Sequence, residues 1–164
     1  MSSSMTYYDE NAQQFIDNTL NLDLSDLYVR FEKYLEPGDR VLDLGCGPGR
    51  DLKYFATKYK STGLEPSTTL AKFAREYSGC EVIESTIEDF ETSEKFDGIW
   101  AYTNLMHIKK SELGKKKKKL SSIITPNGIL YCSFKYGESE GERNVRYFSD
   151  LTEKGLENVI SNSN

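Results

Sequence analysis

Glycines at positions 45, 47 and 49 close the apolar run Val41-Leu42-Asp43-Leu44, and a carboxylate, Glu65, follows 65 − 45 = 20 residues after the first of them. Glycines spaced so closely let a ligand approach bare backbone, where amide N–H groups and a following helix N-terminus can hold polar atoms. A carboxylate at that distance, ending the next strand, is placed to meet the hydroxyls of a ribose. Together these residues describe a pocket for a nucleoside-type ligand. The spacing is G-x-G-x-G, whereas the dinucleotide fingerprint G-x-G-x-x-G needs glycine where this chain has Arg50. A nicotinamide-dependent oxidoreductase stays open on these residues alone.

The elements that must carry this turn follow from hydrophobic spacing. Helices are expected over residues 9–20 and 23–35, where Ala12, Phe15 and Ile16, then Leu24, Leu27, Tyr28 and Phe31, fall on one face. Pro37-Gly38 ends that section. Strands are read at Arg40–Leu44, Ser61–Leu64, Glu81–Glu84, Phe96–Ala101 and Ile129–Phe134, the last after a Pro126-Asn127-Gly128 turn. Helices bearing Leu52 and Phe55, Leu70 and Phe73, and Leu113 and Leu120 lie between them, with Ser67 as an N-cap. Alternation of this kind implies a parallel α/β sheet covered on both faces. Tyr136–Arg146, glycine-rich and charged, reads as a loop, and Ser149 as the cap of a final helix through Leu151, Leu156, Val159 and Ile160. The organisation expected is an N-terminal helical arm over 1–36, an α/β core over 37–135 and a loop with a C-terminal helix over 136–164.

The 164 residues suit one domain, and 21 Lys and Arg against 26 Asp and Glu give a net charge of −5, which disfavours general nucleic-acid binding. The run Lys115–Lys119 lies inside a helical pattern and reads as a solvated face, its stems covering apolar surface. Cys46, Cys80 and Cys132 form neither a metal motif nor an even disulfide set, which fits a reducing compartment. With no leader and no membrane-length apolar run, a cytoplasmic protein without a metal is expected.

The motif Leu42-Asp-Leu-Gly-Cys-Gly-Pro-Gly49, with Phe96-Asp97 and Pro126-Asn127-Gly128-Ile129-Leu130, resembles the class I S-adenosylmethionine-dependent methyltransferases over most of the chain. The resemblance implies a three-layer, Rossmann-like, doubly wound and mostly parallel sheet. It also implies a donor site for S-adenosyl-L-methionine, with S-adenosyl-L-homocysteine as product. In the family the turn at Gly45, Cys46, Gly47 and Gly49 passes beneath the methionine part, and Asp43 organises the loop and binds the methionine amino group. Glu65, followed by Pro66, takes the ribose. Thr86, where the family usually has an acid, and Ile87 meet the adenine. Ala101 and Tyr102 lie beside the transferable methyl, and Tyr7 and Tyr8 resemble an aromatic arm over the donor.

Tyr102 and His107 are the candidate catalytic residues, His107 as a general base. Arg143, Arg146 and Tyr147 stand where acceptors are often held. Family members generally end in an antiparallel hairpin for which this chain has no residues left, implying a C-terminally shortened member whose fifth strand is a sheet edge open to self-association. The function expected is methyl transfer by in-line displacement to a small molecule. A non-catalytic donor-binding protein and an RNA or protein methyltransferase are the alternatives within the resemblance.

Overall fold

The computed structural model describes residues 11–102, 104–143 and 146–162. Two helices, α1 (Ala12–Leu20) and α2 (Ser25–Glu32), precede β1 (Arg40–Leu44). Then come α3 (Arg50–Phe55), β2 (Lys60–Leu64), α4 (Thr68–Ser78), β3 (Glu81–Ile83), β4 (Phe96–Ala101), a 3₁₀ turn at Leu105–His107, α5 (Lys110–Ile123) and β5 (Ile124–Cys132). A hairpin of β6 (Glu140–Arg143) and β7 (Arg146–Ser149) leads to α6 (Glu153–Asn162).

The central sheet is parallel, in the order β3-β2-β1-β4-β5. Alternate side chains of each strand serve opposite faces. Leu42 and Ile99 join Leu113, Leu120 and Ile123 of α5, while Val41 and Trp100 join Tyr28 and Phe31 of α2 and Phe55 of α3. That is the three-layer, Rossmann-like arrangement. Its order reverses between β1 and β4, and the strand ends beside that switch point form the crevice where open α/β sheets take ligands. Ser67 caps α4 as expected, its Oγ accepting the Leu70 N–H.

Three local expectations are corrected. Pro126-Asn127-Gly128 is not a turn before the strand but an irregularity inside it. Phe96 pairs with Ile124 and Gly98 with Ile129, so extra residues bulge from β5. The segment read as a loop after Tyr136 contains β6, paired with β7 through Gly141↔Phe148 and Glu142↔Tyr147. Ser149 is buried at the end of β7 and donates to the Ile108 carbonyl, while Thr152 Oγ1 accepts the Gly155 N–H at the start of α6. The hairpin stands apart from the central sheet and leaves β5 as its edge. Among the described residues, no helix is long and apolar enough to cross a membrane.

Candidate active site

Gly45 and Gly47 have φ of +69° and +56°, the left-handed region that side chains resist. A Cβ at Gly45 would run into the side chain of Asn104, and one at Gly47 would stand 3.2 Å from the Phe15 ring. The turn is therefore squeezed between the β4 exit and α1, and glycine is what fits. Its amides are not held out for a ligand, which corrects the sequence expectation. Gly45 and Cys46 both donate to the Leu64 carbonyl, at 2.8 and 3.0 Å, Gly49 donates to Cys46, and Gly47 donates to Glu65 Oε1 at 3.0 Å. The turn offers space and acceptors instead of donors.

Glu65 is buried, with Oε2 accepting the Ser67 N–H at 2.8 Å. A carboxylate has about four lone-pair sites and can accept from several donors at once. Asp43, at the end of β1, is buried too, and its Oδ2 has no hydrogen-bond partner among the described residues. Burial raises the Asp43 carboxyl well above the usual carboxylate range, and the charges of Asp51 and Glu65 add to this; Arg50 and the Leu52 backbone N–H oppose it. Asp51, by contrast, is fully engaged. It accepts from Arg50 Nε and Nη2 at 2.8 and 3.0 Å, from Trp100 Nε1 at 2.9 Å and from the Tyr28 hydroxyl. Three buried carboxylates, Asp43, Asp51 and Glu65, thus stand at this floor, with the Arg50 guanidinium paired to Asp51.

A cavity of about 520 Å³ opens over these groups. Of the expected residues, Gly45, Gly47, Glu65, Pro66, Thr86, Ile87, His107 and Tyr147 line it. Asp43, Cys46 and Tyr102 line an adjoining recess of about 30 Å³, which shares Gly45, Gly47 and Phe15 with the cavity. Gly49 lines neither space: it packs against Ala74 as the N-cap of α3. Ala101 is likewise buried in the core at the end of β4. Tyr7 and Tyr8 lie outside the described residues. Sequence reasoning missed Phe15, Asn104, Glu112, Lys116 and Glu142 as lining residues. Lys116 also corrects the solvated reading of the lysine run, since it is buried and paired with Glu88 across the cavity wall.

The far wall is built differently. His107, on the 3₁₀ turn, shares its Nδ1 with the Tyr147 carbonyl at 2.8 Å and packs against the Phe148 ring. A carbonyl only accepts, so Nδ1 carries the proton and Nε2 is the basic nitrogen. Burial lowers the His107 pKa below its usual value, with the charges of Arg146 and Lys135 acting in the same direction against the Tyr147 hydrogen bond. The hairpin is fastened to this wall by the Lys110 N–H on Glu140 at 2.8 Å and by the Ser149 hydroxyl on the Ile108 carbonyl at 2.6 Å, while the Tyr147 hydroxyl ties its two strands together through Glu140 at 2.7 Å. Arg143 pairs with Asp150 at 2.7 Å, and neither it nor Arg146 lines the cavity.

A family model described as a methyltransferase domain matches residues 41–128, from β1 through the β5 bulge. The chain belongs to that family. The chain is 33% identical over 131 residues to the pavine N-methyltransferase of Thalictrum flavum subsp. glaucum, covering 71% of this chain and 36% of that protein. It is 28% identical over 144 residues to the (S)-tetrahydroprotoberberine N-methyltransferase of Eschscholzia californica, covering 79% of this chain and 41% of that protein. The chain thus spans roughly two fifths of the length of these curated relatives. Among solved structures it is similar to the DhpI–SAH complex, with a TM-score of 0.76, 16% identity and coverage of 98% of this chain and 85% of that one. Coclaurine N-methyltransferase bound to N-methylheliamine and SAH gives a TM-score of 0.57 and 26% identity over 65% of this chain and 33% of that one.

Proposed function

We propose that this methyltransferase domain binds S-adenosylmethionine at the β1–β2 end of the cavity and directs its methyl group to a small-molecule nitrogen acceptor. The observation that carries this reading is the turn whose amides are already bonded, beside the buried carboxylates Asp43 and Glu65. A pyrophosphate needs N–H donors at such a turn. A ligand bearing an ammonium, a sulfonium and ribose hydroxyls needs the reverse. The Asp43 Oδ2, without a hydrogen-bond partner among the described residues, suits the ammonium, and the buried Glu65 carboxylate at the exit of β2 suits the hydroxyls. Thr86 and Ile87 suit the adenine edge, with Pro66 beside them. When bound, the donor supplies a methyl group activated by its sulfonium for in-line displacement.

The protein's share is then to orient the acceptor, keep water out and accept a proton. Nε2 of His107 is the base, its tautomer fixed by the Tyr147 carbonyl. Tyr102, in the recess beside Asp43, packs near the methyl in this reading and carries no proton. Glu112 and Glu142 in the outer wall favour an amine that arrives as a cation. The relatives named as N-methyltransferases support the nitrogen acceptor.

Three free cysteines support a reducing, cytoplasmic setting. The open β5 edge supports self-pairing, which sedimentation would detect. The principal test is calorimetry with S-adenosylmethionine, S-adenosylhomocysteine and NADH, followed by labelled-methyl transfer to a panel of amines. Binding of the two sulfur nucleosides with transfer to an amine is expected. Preference for NADH would overturn the donor assignment, and binding without transfer by the full-length protein would make it a non-catalytic receptor.

A further inference from the structure

Arg50 occupies the position where a dinucleotide turn has its third glycine, and its side chain is only 10% exposed. Nε and Nη2 hold Asp51, Nη1 donates to the Thr19 carbonyl at 2.9 Å, and the guanidinium lies 5.4 Å from the centre of the Tyr102 ring. One planar group therefore joins the last turn of α1, the first turn of α3 and the exit of β4. Thr19 is near the C-terminal end of α1, where the helix dipole favours a cation.

One turn back on α1, Phe15 borders both the cavity and the recess and sits over Gly47. The rest of α1 is seated on a small apolar patch, Ala12 and Ile16 against Leu70. This short helix is thus held at one end by Arg50 and along its length by that patch, with an aromatic ring over the mouth shared by two spaces.

We propose that Arg50 is a positioning residue for the methyl donor: by holding Thr19 it keeps Phe15 over the glycine turn and so sets how long the donor stays. This rests on the donor assignment above. It makes no demand on the acceptor. A lysine at this position keeps the charge but lacks the fork that serves Asp51 and Thr19 at once.

The test is a double-mutant cycle read as the dissociation rate of S-adenosylhomocysteine by stopped-flow displacement, with thermal melts alongside. R50M is expected to speed dissociation about tenfold, as loss of a charge-assisted bond implies, and R50K by less. F15A is expected to speed it on its own, and R50M/F15A to exceed F15A by no more than about twofold, because both act through the same helix. Additive effects, or a lowered melting temperature with an unchanged dissociation rate, would overturn the proposal. If R50M fails to fold, the R50K and F15A arms give the same comparison. A wild-type protein that takes up no S-adenosylhomocysteine would instead overturn the donor assignment.

Discussion

At the β1–β2 end of the cavity, the glycine turn's N–H groups are bonded to Leu64, Glu65 and Cys46, and the carboxylates sit under buried backbone. At the β4–β5 end, the wall is made of side chains from a 3₁₀ turn, the start of α5 and a hairpin outside the central sheet. The first end is shaped by main chain, which substitution hardly alters. The second is shaped by His107, Glu112, Glu142 and Tyr147, each replaceable without touching a sheet hydrogen bond. If the donor takes the first end and the acceptor the second, as proposed, mutations at the two ends alter different measurements.

His107→Gln gives the largest effect expected: methyl transfer slows by about 100-fold or more, the usual contribution of a general base, while donor affinity holds. Single-turnover transfer and calorimetry check it; a matching loss of donor affinity would break the division. The pH profile follows from the same residue. Because its pKa is lowered, the acid limb of the wild-type rate has its midpoint below 6.5.

Glu65→Ala weakens donor binding by about 1.5–3 kcal/mol and leaves the acceptor KM, at saturating donor, as it was. Asp43→Asn sharpens the comparison further, since it moves affinity and stability in opposite directions. The folded-state pKa of Asp43 is raised, so the native state binds the extra proton, and its ionisation costs stability as pH rises from 3.8 toward the raised value. At neutral pH the asparagine variant therefore melts at a higher temperature yet binds donor about tenfold more weakly. Melts across pH and titrations with donor check both halves. Glu142→Gln is the mildest, raising the KM for a cationic amine about threefold, within the range of an exposed charge, with donor affinity unchanged.

The β1–β2 end of the cavity was legible as structure because its signals are local. Three glycines, a strand of alternating faces, a capping serine and a carboxylate twenty residues on are set by adjacent residues and short connections. The placing of Asp43 and Glu65 at the exits of β1 and β2 was readable for that reason, and so were all five strands of the sheet, although β5 begins at Ile124, ahead of the expected Ile129. What stayed hidden depends on distant segments. Phe15 reaches Gly47 across 32 positions, and Asn104 meets Gly45 across 59. The availability of the turn's amides could not be read either, because it depends on the register between β1 and β2. The hairpin escaped because Glu140-Gly-Glu-Arg143 has poor strand propensity and is held by tertiary bonds at Lys110 and Ile108. The adjacent aromatics Tyr147 and Phe148, a residue type favoured in strands, were the signal available there.

The chain's single tryptophan, Trp100, lies beneath this floor, bonded to Asp51 and stacked on Tyr131 at 4.3 Å and on Tyr102 at 6.2 Å. The protein thus contains its own optical probe. Its indole emission responds to the charge state of the groups above it, so ligand uptake can be followed in solution without a label, and a shift on adding a sulfonium compound but not an uncharged nucleoside would report the field of those carboxylates directly.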